Sequence, residues 1–369
     1  MIPVNTPLLN GNELEYVTDC INSGWISSEG SYVAKFENLF SNYVGRKYGV
    51  AVSNGTTAID IVIEALKFGA NDEIIIPTFT IISCISQIVR CGATPVFVDS
   101  EIDTWNMNVE QIESKITKNT KAIFVVHIYG LPVEMDKILL LAKKYNLLII
   151  EDAAEMHGQT YNGLPCGSFG DVSIFSFYAN KNITTGEGGM IVTNSSELYA
   201  NCKDLRNLCF KPDDRFVHDR LGWNYRMTNI QAAIGVAQLE RIEHIIKRKR
   251  EIGNLYQDLL SNIEYLQLPI KKHGQNENIY WVFGLLINEK SGYNSKSIMK
   301  KLYENNIMTR PFFCPLHKQP FFNNLNIFKN YSLPVSEKMY NEGFYLPSGL
   351  GITDTEIEIV STTLKKIIL

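Results

Sequence analysis

Tyr48-Gly49-Val50-Ala51-Val52-Ser53-Asn54-Gly55-Thr56-Thr57-Ala58 passes from a short apolar run, through a turn of small residues, into a helical pattern that continues to Phe68 and stops at Gly69. A strand, a Gly-containing turn and a helix in that order make half of a βαβ unit. The same alternation repeats downstream. Glu73 to Pro77 reads as a strand, Ile81 to Cys91 as a helix and Thr94 to Asp99 as a strand. Ala122 to His127 is a further strand, Pro132 to Tyr145 a helix, and Leu147-Leu148-Ile149-Ile150-Glu151-Asp152 a fifth strand. Alternation of this kind predicts an α/β fold on a largely parallel sheet. Beyond Asp171 the texture changes. Val172 to Ser176 and Gly189 to Thr193 read as strands around a Gly-rich loop, and residues 228–260 as one long helical segment. Its charge run, Lys247-Arg248-Lys249-Arg250-Glu251, reads as a solvated helix face. Tyr280 to Ile287 reads as a strand, Ser295 to Asn305 as a helix and Asp354 to Ile367 as the closing helix. The boundary is expected near 240–250, with residues 1–245 a large cofactor-binding domain and 246–369 a smaller α+β domain. There is no internal repeat and no low-complexity tract.

Composition narrows the function. The chain has 369 residues, 45% hydrophobic and 20% charged, the profile of a globular protein with ample core. Thirty-five Lys and Arg against 39 Asp and Glu leave a net charge of -4, which offers no basic footprint for nucleic acid. No apolar run reaches the length of a membrane span, and the first residues lack the pattern of a signal peptide, so a cytoplasmic location is expected. Seven scattered cysteines with no Cys-x-x-Cys pair read as buried small hydrophobes, and the six histidines lack metal-ligand spacing, so no metal site is expected.

Three places carry chemistry. Lys181 stands after a strand in the loop Phe177-Tyr178-Ala179-Asn180-Lys181-Asn182-Ile183-Thr184-Thr185-Gly186. An amine held there can form a Schiff base with a carbonyl and then carry a proton; on its own it also reads as a solvated loop lysine. Asp152 ends an apolar strand, where ligands bind in open parallel sheets, and its carboxylate could pair with a protonated pyridine nitrogen. Asp152-Ala153-Ala154-Glu155 equally fits a capping box. Gly55, in the first turn, permits close backbone approach beside free helix amides, an anion site. Ser176, at a strand end, could aim a hydroxyl at the same anion. A phosphate cradle, an acid and a lysine in this order are what a phosphorylated pyridine aldehyde requires.

With these residues in place, the sequence resembles the DegT/DnrJ/EryC1/StrS family of pyridoxal-phosphate sugar aminotransferases, from Pro7-Leu8-Leu9-Asn10-Gly11 to the last helix. Further segments carry the resemblance: Gly24-Trp25-Ile26-Ser27-Ser28, Val126-His127-Ile128-Tyr129-Gly130, Asn224-Tyr225-Arg226-Met227-Thr228-Asn229 and Arg310-Pro311-Phe312-Phe313. It implies fold type I, the aspartate aminotransferase-like architecture, with pyridoxal 5'-phosphate as cofactor. It makes Lys181 the Schiff-base lysine, Asp152 the partner of the pyridine nitrogen, and Glu155 a neighbour of the ring hydroxyl. Gly55, Thr56 and Ser176 fall on the phosphate site, and Asn224 reaches it from a neighbouring subunit, which implies a homodimer. Trp25 and His317 match segments near the sugar nucleotide; from the residues alone, Trp25 also reads as a core aromatic and His317 as a surface-loop histidine.

The resemblance is strongest to the perosamine-forming branch, which aminates GDP-4-keto-6-deoxy-mannose at C4 for O-antigen or capsule sugars, with glutamate as the expected donor. The alternatives are a UDP- or dTDP-4-keto-6-deoxy-glucose, or a non-catalytic nucleotide-sugar sensor. Family members that act as dehydratases carry histidine at the lysine position; Lys181 argues against that branch. Two positions depart from the family. Ile81 follows Pro77-Thr78-Phe79-Thr80 where an aromatic commonly stacks on the pyridine, so looser cofactor retention, or a ring supplied by a neighbour, is expected. Asn182 adjoins the lysine and is expected to alter how the sugar is seated.

Overall fold

The protein, a computed structural model, is described for residues 1–324, 328 and 331–369. Two helices precede the first strand: α1 (Glu13–Ser23) and α2 (Ser31–Tyr43). Neither was expected from the sequence. Seven strands form the main sheet, and five of them come first in the chain: β1 (Tyr48–Val52), β2 (Glu73–Pro77), β3 (Thr94–Val98), β4 (Thr120–Val126) and β5 (Leu148–Asp152). Helices α3 (Gly55–Ala65), α4 (Ser83–Arg90) and α5 (Met135–Tyr145) join them. A two-strand hairpin, β6 (Thr160–Tyr161) and β7 (Leu164–Pro165), leads to β8 (Val172–Ser176) and β9 (Gly189–Thr193), the remaining two. The order is β1-β9-β8-β5-β4-β2-β3. Pairs β3–β2–β4–β5–β8 are parallel, while β9 runs antiparallel to both β8 and β1. The largely parallel sheet stands as expected.

Its interior strands are nearly continuous apolar runs because helices cover both faces. Ile74, Ile75 and Ile76 of β2 and Ala122, Ile123, Phe124 and Val125 of β4 are fully buried. Alternate residues of one strand face opposite cores: Ile74 and Ile76 pack with α3 and α4, and Ile75 packs with α2.

After β9 come α6 (Ser196–Arg206), α7 (Asn229–Leu239) and α8 (Ile242–Leu260). The helical segment read as continuous over 228–260 is thus broken at Glu240-Arg241, where Arg241 takes φ -116, ψ 13. Thr228 starts α7 with a capping box, accepting from the Gln231 amide. The charge run on α8 also differs from expectation. Lys247 and Glu251 are exposed, but Lys249 is 2% exposed and faces inward. On an α-helix Lys249 shares a face with Ile245, Ile246, Ile252 and Tyr256, all buried, and the position outweighs the charge.

The C-terminal part holds a second sheet. Short β10 (Leu266–Gln267) and the hairpin β11 (Lys272–His273), β12 (Asn276–Glu277) precede β13 (Phe283–Ile287), β14 (Arg310–Pro311) and β15 (Gly343–Leu346). The order β10-β13-β15-β14 is antiparallel. Its core draws on α8, the helix Ser295–Glu304 and the closing helix Asp354–Ile368. The first six residues cross to this part: Ile2 bridges Ile307, and Thr6 accepts from the Gly351 amide.

A buried polar cluster pins the turn between β7 and β8. Glu151 accepts from the amides of Gly167 (2.5 Å), Phe169 (3.0 Å) and Gly170 (3.1 Å), from Ser173 Oγ (2.9 Å) and from His127 Nε2 (3.1 Å). His127 Nδ1 accepts from the Val133 amide, so the ring proton sits on Nε2 and points at Glu151. Burial alone would raise the Glu151 carboxyl, but the His127 bond and the amides hold it down at about 2.

Candidate active site

The carboxyl ends of β5 and β8, the start of α3 and the loop after β8 open onto one cleft of about 770 Å³. Ligands bind at such strand ends in open α/β sheets. Gly55, Thr56, Asp152, Glu155, Ser176 and Lys181, all anticipated from the sequence, line it together.

The α3 start is built for an anion. Asn54 caps the helix, its Oδ1 taking the Thr57 amide (2.9 Å) while Thr57 Oγ1 takes the Asn54 amide (3.2 Å). Among the described residues the amides of Gly55 and Thr56 have no acceptor, so they are the donors the first turn presents. A Cβ on Gly55 would meet Ser176 Cβ at 2.9 Å, so glycine is what lets the helix start and the Ser176 hydroxyl share one cradle. Thr56 Oγ1 lies 2.8 Å from Ser83 Oγ, which places a further hydroxyl at the rim. Gly55→Val is expected to block the cradle, weakening phosphate-bearing ligands by about tenfold or more. Isothermal titration with inorganic phosphate and with pyridoxal phosphate measures the loss.

Asp152 and Glu155 do not form a capping box, because no helix starts behind β5. Asp152 Oδ1 takes the Ala154 amide (2.9 Å) and Oδ2 takes the Cys84 thiol (3.3 Å). Glu155 takes the Tyr129 amide (2.6 Å). Burial pushes both carboxyls up; the Ala154 amide restrains Asp152, and the nearby Lys181 restrains Glu155. Lys181 is drawn the other way. Burial lowers its amine, and Glu155 and Asp152 partly restore it. Its Nζ has no hydrogen bond or ion pair among the described residues and lies 3.9 Å from the centre of the Trp281 ring. A solvated loop lysine is excluded by this placement.

Asn182, His317, Trp25 and Asn224 lie off the lining of this cleft, and Ile81 lies on it. Asn182 is 2% exposed and off the cleft lining, its Nδ2 reaching the His157 carbonyl at 3.4 Å, so it backs the lysine loop. His317 is neither on the cleft wall nor at the surface. It is buried, with Nδ1 2.7 Å from Thr78 Oγ1 and Nε2 3.1 Å from Glu337, and so braces the segment that ends at Ile81. Trp25 is 58% exposed, outside the cleft and outside the core. Asn224 is exposed beside Asn207 and does not reach its own cleft. Ile81 stands half-exposed on the cleft wall.

Cys84, Trp281, Phe313 and Tyr345 were missed. Three of them come from the C-terminal part and reach the cleft only through tertiary packing, which no local pattern reports.

The donor set fits a phosphorylated pyridine aldehyde: an anion cradle, a buried carboxylate and an unbonded amine around one cleft. Comparison with known proteins agrees. The chain is 40% identical over 368 residues to the GDP-perosamine synthase of Vibrio cholerae, covering 99% of this chain and 98% of that protein. It is 42% identical to that of Escherichia coli O157:H7, over 96% and 95% of the two chains. Among solved structures, the E. coli GDP-4-keto-6-deoxy-D-mannose-3-dehydratase with bound hydrated PLP superposes with a TM-score of 0.89 at 25% identity, over 99% of each chain. The DegT/DnrJ/EryC1/StrS aminotransferase family matches residues 7–365, and with relatives of 40–42% identity over nearly the full length, the chain belongs to that family.

Proposed function

We propose that this protein moves an amino group from glutamate to C4 of GDP-4-keto-6-deoxy-mannose, forming GDP-perosamine. Pyridoxal phosphate is the cofactor; when bound, it supplies the carbonyl that accepts an amine and the ring that takes up electrons from the adjacent carbon. The convergence of Lys181, Asp152 and the Gly55 turn in one cleft carries the reading, and the similarity to GDP-perosamine synthases along almost the whole chain gives it a substrate.

The chain's residues have separate tasks. The amides of Gly55 and Thr56, with Ser176 Oγ, hold the phosphate. Asp152, fixed by the Ala154 amide and the Cys84 thiol, would hold the pyridine nitrogen in its protonated form. Glu155, its position set by the Tyr129 amide, would neighbour the ring hydroxyl. Lys181 Nζ carries the proton between the reacting carbons. Ile81 and Phe313 line the same cleft and would bound the space left for the sugar. Asn224, exposed beside Asn207 and off its own cleft, would serve the phosphate of a second copy, which makes the working unit a homodimer. Seven free cysteines fit a reducing cytoplasm.

An aliphatic Ile81 lacks the aromatic pairing of about 0.5–1.5 kcal/mol. Ile81→Phe is expected to slow cofactor loss about two- to tenfold, followed by the decay of visible absorption on dilution.

The substrate is tested with GDP-, UDP- and dTDP-4-keto-6-deoxy sugars, each supplied with glutamate and scored by kcat/KM. GDP-4-keto-6-deoxy-mannose is expected to be preferred. A clear preference for a UDP- or dTDP-4-keto-6-deoxy-glucose would overturn the nucleotide assignment while leaving Lys181 in its role.

A further inference from the structure

Lys249 is the inward-facing member of the charge run on α8. Its Nζ donates to the carbonyl oxygens of Trp281 (2.9 Å) and Ser348 (2.6 Å), and among the described residues no carboxylate pairs with it. An amine buried without a counter-charge is costly. Burial, with repulsion from Arg248, lowers it to about 7. Neutral or charged, it has enough protons for both carbonyls.

The residue it holds is constrained from every side. Tyr280, just before Trp281, adopts a left-handed backbone with φ 51, a conformation a bulky residue rarely takes unless its surroundings impose it. Asn278 Oδ1 takes the Tyr280 amide at 2.7 Å. Gly130 packs so closely that a Cβ there would meet the Trp281 and Tyr280 nitrogens at 2.7 Å. Trp281 Nε1 donates to the Asn180 carbonyl (2.9 Å), gripping the backbone one residue before Lys181, while its ring face receives the Lys181 amine. One indole therefore fixes both the loop and the side chain of the reacting lysine.

We infer that Trp281 is the seat of the Lys181 amine whenever that amine is free, and that Lys249 is the positioning residue that holds the seat in place. A ring face favours an ammonium over a neutral amine. It acts with the carboxylates of Asp152 and Glu155 and against burial; His157 and the Cys84 thiol are the other titratable groups around the amine. An amine released during turnover is thereby kept at the floor of the cleft, within reach of the next proton transfer.

The inference rests on Lys181 being the reacting amine. Full-length protein stripped of cofactor is exposed briefly to pyridoxal phosphate across a pH series and quenched with borohydride, and the label on the Lys181 peptide is quantified by mass spectrometry. Only the unprotonated amine reacts, so the half-point of the profile reports Lys181. Trp281→Leu is expected to lower that half-point by about 0.5–1 pH unit. Lys249→Met is expected to shift it the same way by less, and Lys249→Gln, whose amide can donate to a carbonyl, to move it back toward wild type. An unmoved half-point in Trp281→Leu overturns the seat, and this arm decides it independently of the Lys249 variants. A Lys249→Met protein with a lower melting temperature and an unmoved half-point overturns the positioning role and leaves a structural brace. Label on a residue other than Lys181 would fail the assignment of the reacting amine itself, a distinct outcome.

Discussion

Lys181→Ala is expected to reduce amino transfer by at least about 10⁴-fold, because the substitution removes both the nucleophile and the proton carrier from one position. The fold is expected to survive. Lys181 Nζ makes no hydrogen bond or ion pair among the described residues, and the loop is held by backbone and neighbouring groups such as the Trp281–Asn180 bond. Stability should change by no more than about 1 kcal/mol. Circular dichroism and a thermal melt check the fold, and steady-state assay with glutamate and the keto sugar checks the activity. Wild-type turnover in the variant would contradict the enzyme assignment. Undiminished biological activity without turnover would favour a nucleotide-sugar sensor.

The largest effect on stability is expected at Glu151→Gln. The substitution keeps volume, so no cavity term enters, but it turns an amide donor toward the Gly167, Phe169 and Gly170 amides or the His127 proton. Breaking a buried, fully satisfied cluster in this way costs about 3–5 kcal/mol. The pH dependence has a definite sign. The folded-state carboxyl is held at about 2, below an unfolded value of about 4.3, so its stabilisation is complete above the unfolded value and fades as pH falls toward 2. Urea melts between neutral pH and about pH 3 should show wild type losing stability on acidification more steeply than the variant. Parallel slopes would show that Glu151 does not carry this part of the acid sensitivity.

The parts of the fold legible in the sequence are those where burial writes a local pattern. Strands β2, β4 and β5 are continuous apolar runs because both of their faces are covered. Gly55, Asp152 and Lys181 were legible because each sits at a strand end or turn, where a small or charged residue interrupts such a run. Helix α1 was not. Its apolar positions Leu14 and Ile21 are exposed, and Cys20 and Glu13 are its buried residues, so its pattern does not point to a core. Lys249 was misread because a run of charges hides the one position whose helical phase turns it inward. The burial of His317 was not legible, because it is held by Thr78, far away in the chain, and by Glu337 on a later helix. Trp281 reaches Lys181 only because Gly130 and a left-handed Tyr280 aim it, and neither is visible in local periodicity.

The most direct measurement follows the nitrogen. Purified protein loaded with pyridoxal phosphate is given isotope-labelled glutamate and GDP-4-keto-6-deoxy-mannose, and the product is examined by NMR and mass spectrometry. The account predicts the label bound to C4 of the sugar, the C3 hydroxyl intact, and no labelled product from Lys181→Ala. A sugar that carries no label, or one deoxygenated at C3, would contradict it.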